Sequence, residues 1–268
     1  ENDTIPPIVA ACIASMRTQN PQWEITVMDY GHPGLELPPT QSVQMHDITS
    51  WQSDWYRLVA LAEYGGVWMD ATMVTNLPLG HGWPDMGSHA FQAFNCPDHD
   101  NLTTPDCIES FTFAAPPKNK MVMAWRDEFR TAVTMGCDEY AKRNWNLLDD
   151  RGRTWTYLCV YGALQVAVAK NGTDDGMATY WSNGCNLPGG LCGPYWSPTT
   201  ADDRLNGVFT ASGAVLSKVP LIKFASSERS TLVDNQTVWR HTGSSHLGGI
   251  LDDALEKLGA VARRRKRR

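Results

Sequence analysis

The chain has 268 residues, 42% of them hydrophobic, and a formal charge of −6. That length supports a large single core, and no run reaches the about 18 apolar residues of a membrane span. The acidic balance, with no basic face, excludes a nucleic-acid-binding role.

Pro6 and Pro7 predict a helix from Pro7 to Thr18 with Ile8, Cys12 and Ile13 inward. Trp23 to Met28 alternates like a strand, with Trp23, Ile25 and Val27 on one face. Gly31 to Pro39 reads as a loop. The next helix runs from Trp51 to Tyr64, because Trp51, Trp55, Leu58 and Ala62 form one apolar stripe. Ser50 is its expected cap, and Gly65 fits the left-handed position after it. At about 100° per residue, Asp54 falls inside the apolar arc, Arg57 just beyond it, and Glu63 on the solvated side. A carboxylate near a buried face needs a partner, and Arg57 at i+3 is placed to be one.

Val67 to Met69 reads as a short strand that ends at Asp70, with Thr72 to Thr75 continuing extended. In open α/β sheets ligands bind beyond the carboxyl ends of strands, which makes Asp70 the first candidate for a functional carboxylate. Gly80 to Asp106 is expected to be a surface excursion. Phe111 to Ala115 reads as a strand, and Lys118 to Met135 and Trp155 to Lys170 as helices. Asn171 to Thr200 reads as loop, Val208 to Val219 as short strand-like pieces, and residues 261–268 as a solvated basic tail after a single domain spanning 1–260.

The run SDWYRLVALAEYGGVWMDAT resembles the "SDxxR…YGGxxxDxx" pattern of DXD-type glycosyltransferases, and most of all capsular polysaccharide synthesis proteins, which are similar to the α-1,6-mannosyltransferase group. The resemblance extends over residues 5 to 230. It includes Ile5-Pro6-Pro7-Ile8-Val9 with Ser15, Asn20-Pro21-Gln22-Trp23-Glu24, Phe113 to Pro117, Tyr161 to Gln165 and Leu221-Ile222-Lys223-Phe224. It implies a GT-A-like nucleotide-diphospho-sugar transferase fold, an α/β architecture with a mixed sheet flanked by helices, here expected to lack the first, base-binding strand. It also implies transfer of a hexose, with retention, from a UDP- or GDP-sugar donor to a glycan acceptor.

Carried over by motif, Asp54 and Arg57 would bind donor, Asp70 would be the catalytic carboxylate and a metal ligand, and Thr72 would contact donor. The divalent cation would be Mn²⁺ or Mg²⁺, although Thr72 stands where the motif's second acid belongs, which leaves few of the oxygens such ions need. His241 or His246 would return to the metal or diphosphate; the plainer reading of each is a solvated side chain. Trp181 and Trp196 would stack on acceptor sugars, or simply pack. The expected partners are donor and glycan acceptor, with membrane association only through segments outside this chain.

Two alternatives keep the same residues. Asp54–Arg57 can be a structural ion pair, with the chain an inactive glycan- or nucleotide-sugar-binding module. Two carboxylates could instead serve a glycoside hydrolase, if both faced one scissile bond. The functional reading has Asp54, Arg57 and Asp70 line one concave pocket.

Seven cysteines and sequons at Asn2, Asn101, Asn171 and Asn235 bear on compartment. Cys185 and Cys192 bracket a Pro-Gly-Gly loop and are the expected disulfide; Cys96 and Cys107 bracket another loop. Cys12, Cys137 or Cys159 is then left free, with Cys12 and Cys159 in apolar helical settings where a buried thiol is the default. The expected location is the secretory pathway, in the Golgi lumen, with the cytoplasmic face of a bacterial envelope as the alternative.

Overall fold

The computed structural model of the chain describes residues 5–28, 32–39, 49–80, 84, 90–95, 108–149, 158–171, 177–181, 221–224, 247, 249–254 and 256. The architecture is mixed α/β, and its elements gather into two compact units. One comprises Met28–Met69 and Met86–Ser182; the other comprises Glu1–Val27, Asp70–Asp85 and Asn183–Arg268.

The first of these, the sheet unit, holds α2 (Thr49–Tyr64), β1 (Gly66–Met69), β3 (Phe91–Asn95), β4 (Ile108–Ala115), α3 (Lys120–Met135), α4 (Cys137–Arg143), α5 (Cys159–Asn171) and β5 (Met177–Trp181). The strand order is β1-β4-β3-β5. β4 runs antiparallel to both β1 and β3, and β5 is parallel to β3. β4 is buried along nearly its whole length, as a strand covered on both faces must be.

The apolar stripe of α2 goes where its periodicity sends it: Trp51, Trp55, Leu58 and Ala62 are all buried. The core continues through Phe91, Phe113 and Trp125, with Phe113 5.3 Å from Trp125 and 5.7 Å from Phe91 between ring centroids. Buried indoles need a partner for their N–H, and Trp125 donates to the Val160 carbonyl at 2.7 Å while Trp55 donates to that of Glu36 at 2.9 Å. Asn119 caps α3 by accepting from Met121 and Val122. Gly65 ends α2 at φ +66°.

The other unit holds α1 (Pro7–Gln19), β2 (Met73–Thr75) and β6 (Leu221–Lys223), and residues 249–254 are helical within it. β2 and β6 pair antiparallel, with Met73 opposite Lys223, and α1 packs on β2. Ile8, Cys12 and Ile13 are buried, as the α1 pattern predicts.

Several expectations change. Trp23 to Met28 joins no ladder among the described residues, and Val27 is exposed; alternation without a neighbouring strand does not make one. Ser50 lies inside the first turn of α2 rather than before it. The expected excursion after Gly80 contains β3, whose Phe91 and Ala93 are fully buried. The expected loop after Asn171 contains β5. Cys159 is not a free thiol: it starts α5 and bridges Cys137 at the start of α4, with their Cα atoms 5.8 Å apart, inside the usual disulfide range. Cys12 is free and buried. Cys96, Cys107, Cys185 and Cys192, the sequons at Asn2, Asn101 and Asn235, the Val208–Val219 pieces and the basic tail lie outside the described residues. Asn171 is exposed, as its sequon requires. Among the described residues no helix is long and apolar enough to cross a membrane.

Candidate functional site

In the sheet unit the site grows from the edge of the α2 stripe. Asp54 and Arg57 are both buried, so the arginine lies deeper than its helical angle predicts. They pair at 3.0 Å. Desolvating two charges is compensated only when further hydrogen bonds satisfy them, and here β4 and α2 itself supply those bonds. Arg57 Nη1 donates to the Ser110 carbonyl at 2.7 Å and to its hydroxyl at 2.6 Å, while Nη2 donates to Ser53 Oγ at 3.2 Å. The guanidinium also stands 5.8 Å from the Trp68 ring centroid, within cation–π range.

The network continues into α5. Ser110 donates from its hydroxyl to the Tyr161 phenol oxygen at 3.1 Å and from its backbone N–H at 3.4 Å. Burial pushes the Tyr161 phenol well above its ordinary value; the charge of Glu109 adds to this, while the Ser110 bonds and Arg57 oppose it. Tyr161 therefore remains a neutral phenol. Chemically this is a fixed guanidinium between a carboxylate, a serine and a phenol, with a second buried acid, Glu109, on the same strand as Ser110.

In the other unit Asp70 and Thr72 frame a turn closed by the Met73 N–H donating to the Asp70 carbonyl at 3.1 Å. The Phe224 N–H donates to the Thr72 carbonyl at 3.1 Å, which extends the β2–β6 pairing to the motif. Lys223 Nζ donates to Asp70 Oδ2 at 2.5 Å and to Thr72 Oγ1 at 2.9 Å. The Lys223 side chain is 8% exposed and that of Asp70 21%, so the carboxylate is the end nearer solvent. Behind them, burial pushes the Cys12 thiol up to about 12, although the Lys223 charge opposes the shift; Cys12 is no nucleophile. Ser15 and Asn20 tie α1 to the segment after Asp70. Ser15 Oγ accepts from Thr75 N at 3.1 Å, and Asn20 Oδ1 accepts from Leu79 N at 2.6 Å.

A hard divalent cation wants several oxygens, carboxylates above all. Among the described residues no three His, Cys, Asp or Glu gather to hold one. One Asp70 carboxylate oxygen and the Thr72 hydroxyl are engaged by an ammonium instead. Among the described residues this donor set does not fit Mn²⁺ or Mg²⁺. His241, His246 and Trp196 lie outside the described residues, and Trp181 ends β5.

Motif reading missed Ser110, Glu109 and Lys223 as site residues. Lys223 carried a signal: a cation set among Leu221, Ile222 and Phe224 must have a buried partner.

The family model for capsular polysaccharide synthesis proteins matches residues 2–131. That span contains Asp54, Arg57, Asp70 and Thr72, and it bears out the resemblance carried by the central motif. No curated protein and no solved structure matches the chain.

Proposed function

We propose that the chain is a GT-A-like glycosyltransferase that moves a hexose from a UDP- or GDP-sugar to a glycan or polysaccharide acceptor, with retention at the anomeric carbon. The observation that carries this is Asp70, a carboxylate with partial access to solvent, placed directly after β1 inside the matched span. The similarity to capsular polysaccharide synthesis proteins links the chain to polysaccharide synthesis. In this reading Asp70 stabilises the oxocarbenium-like sugar as the nucleoside diphosphate departs. Thr72, Asp54 and Arg57 contribute donor contacts, as their motif positions imply. Retaining transfer of this kind demands no Ser/His/Asp triad.

The Cys137–Cys159 bridge and the exposed Asn171 sequon support an oxidising compartment. We place the protein in the secretory pathway, in the Golgi lumen. The second reading, an inactive binding module, draws on one observation: Lys223 neutralises the only acid of the motif. Nucleotide release from a panel of UDP- and GDP-hexoses, with oligosaccharide acceptors, separates the two. Acceptor-dependent release supports the transferase. Nucleotide binding with no release from any donor would leave the binding module.

A further inference from the structure

We propose that Lys223 is the resident cation of the Asp70–Thr72 motif, so that the chain binds its nucleotide ligand without a divalent metal. At this position the requirement is a positive charge that joins the motif oxygens and offsets the anionic character of a diphosphate. A metal needs several hard oxygen ligands to compete with its own hydration. Among the described residues one carboxylate and one hydroxyl are present at the motif, and a single ammonium bonds to both.

Three features make this more than a surface ion pair. Lys223 is nearly buried, and a charge taken out of water must be fixed by its partners. Its strand register sets it opposite Met73, one residue past Thr72, so the backbone holds the ammonium at the motif rather than leaving it on a loose stem. The adjoining Phe224–Thr72 backbone bond closes the same ladder end. The threonine in place of a second acid is consistent with this: an ammonium has one charge to balance, and the Asp70 carboxylate is one counter-charge. A second carboxylate would leave a net negative charge beside an anionic ligand.

The identity of the ligand rests on the transferase reading; the exclusion of metal does not. The full chain, freed of metal with EDTA, is titrated with MnCl₂ while free Mn²⁺ is followed by electron paramagnetic resonance, alone and with UDP or GDP. Expected is no Mn²⁺ bound by the chain in any of the three states, beyond what UDP or GDP alone takes up in a protein-free control. Calorimetric affinity for the nucleotide should be the same in EDTA and in MnCl₂. Stoichiometric Mn²⁺ binding that disappears in Asp70→Asn would overturn the proposal. Lys223→Met should weaken nucleotide binding about tenfold or more, equivalent to at least ~1.4 kcal/mol, while Lys223→Arg should restore most of it. A Lys223→Met chain that melts lower but binds nucleotide unchanged also overturns it, because that is the behaviour of a purely structural pair. If neither UDP nor GDP binds at all, the transferase reading fails, and the Mn²⁺ titration of the nucleotide-free chain still decides whether Lys223 excludes the metal.

Discussion

Arg57 donates twice to Ser110, once to its carbonyl and once to its hydroxyl, across 53 residues of sequence. With the Asp54 bridge on its own helix, this makes the guanidinium the pin between α2 and β4. Removing one member of a buried pair strands the other in a medium that cannot solvate it.

Arg57→Met is accordingly expected to lower stability by about 3–5 kcal/mol, as breaking a buried pair does. Arg57→Lys keeps the charge but cannot reproduce the fork, so it should fall between wild type and Arg57→Met. Urea midpoints at constant slope measure both. A loss of under about 1 kcal/mol for Arg57→Met, the range of exposed pairs, would show that the pair is not held as described.

Asp70→Asn tests the chemistry. The amide oxygen can still accept from Lys223, but the nearly buried ammonium loses its counter-charge, so melting should fall. On the transferase reading the lost charge also costs about 10²–10³ in kcat, measured at a temperature where the variant is folded. Sugar transfer at wild-type rate by the folded variant would remove Asp70 from the reaction.

Alkaline stability should report two phenols that burial raises, those of Tyr140 and Tyr161. Tyr140 is raised by burial and by Glu128, which accepts its hydrogen bond at 2.7 Å; Tyr161 is raised by burial and by Glu109. The unfolded phenol titrates near pH 10. Above that value the folded chain holds more protons than the unfolded one, so stability falls as pH rises; below it neither tyrosine matters. Tyrosinate absorbance should show both phenols ionising only with unfolding. Tyr161→Phe should flatten the decline, and an unaltered profile would contradict its burial.

The Cys137–Cys159 bridge closes a separation of 22 residues. In the chain-entropy account such a loop is worth about 3 kcal/mol. The Cys137→Ser/Cys159→Ser double variant should melt lower than wild type in oxidising buffer and match it in reductant. Equal melting in both buffers would show that the bridge does not form.

The division between legible and illegible residues follows interaction range. Asp54, Glu63 and Gly65 could be placed because helical periodicity and the end of a helix are local properties. Ser110 and Lys223 could not, since their partners lie 53 and 153 residues away and no local pattern records a strand register. Five-residue β3 was hidden in a Gly-, Pro- and His-rich segment, where burial of Phe91 and Ala93 outweighs composition. The opposite error, at Trp23 to Met28, came from a period-2 pattern with no partner. The bridge between Cys137 and Cys159 has no short loop to mark it in the sequence, because it depends on how α4 and α5 begin side by side.

The end of α2 abuts the chain leaving β4. A Cβ on Gly65 would collide with the Pro117 nitrogen, and the Lys118 N–H bonds to the Ala62 carbonyl at 2.8 Å. Mechanically this is a weld rather than a hinge: the last turn of the helix and the exit of the central strand have no clearance for sliding. Fluctuations of α2 must carry β4 with them, and the Arg57–Ser110 contact sits on one rigid bracket fastened at both ends. Any change in the spacing of Asp54 and Ser110 therefore has to come from side chains carried on that bracket, not from tilting the helix.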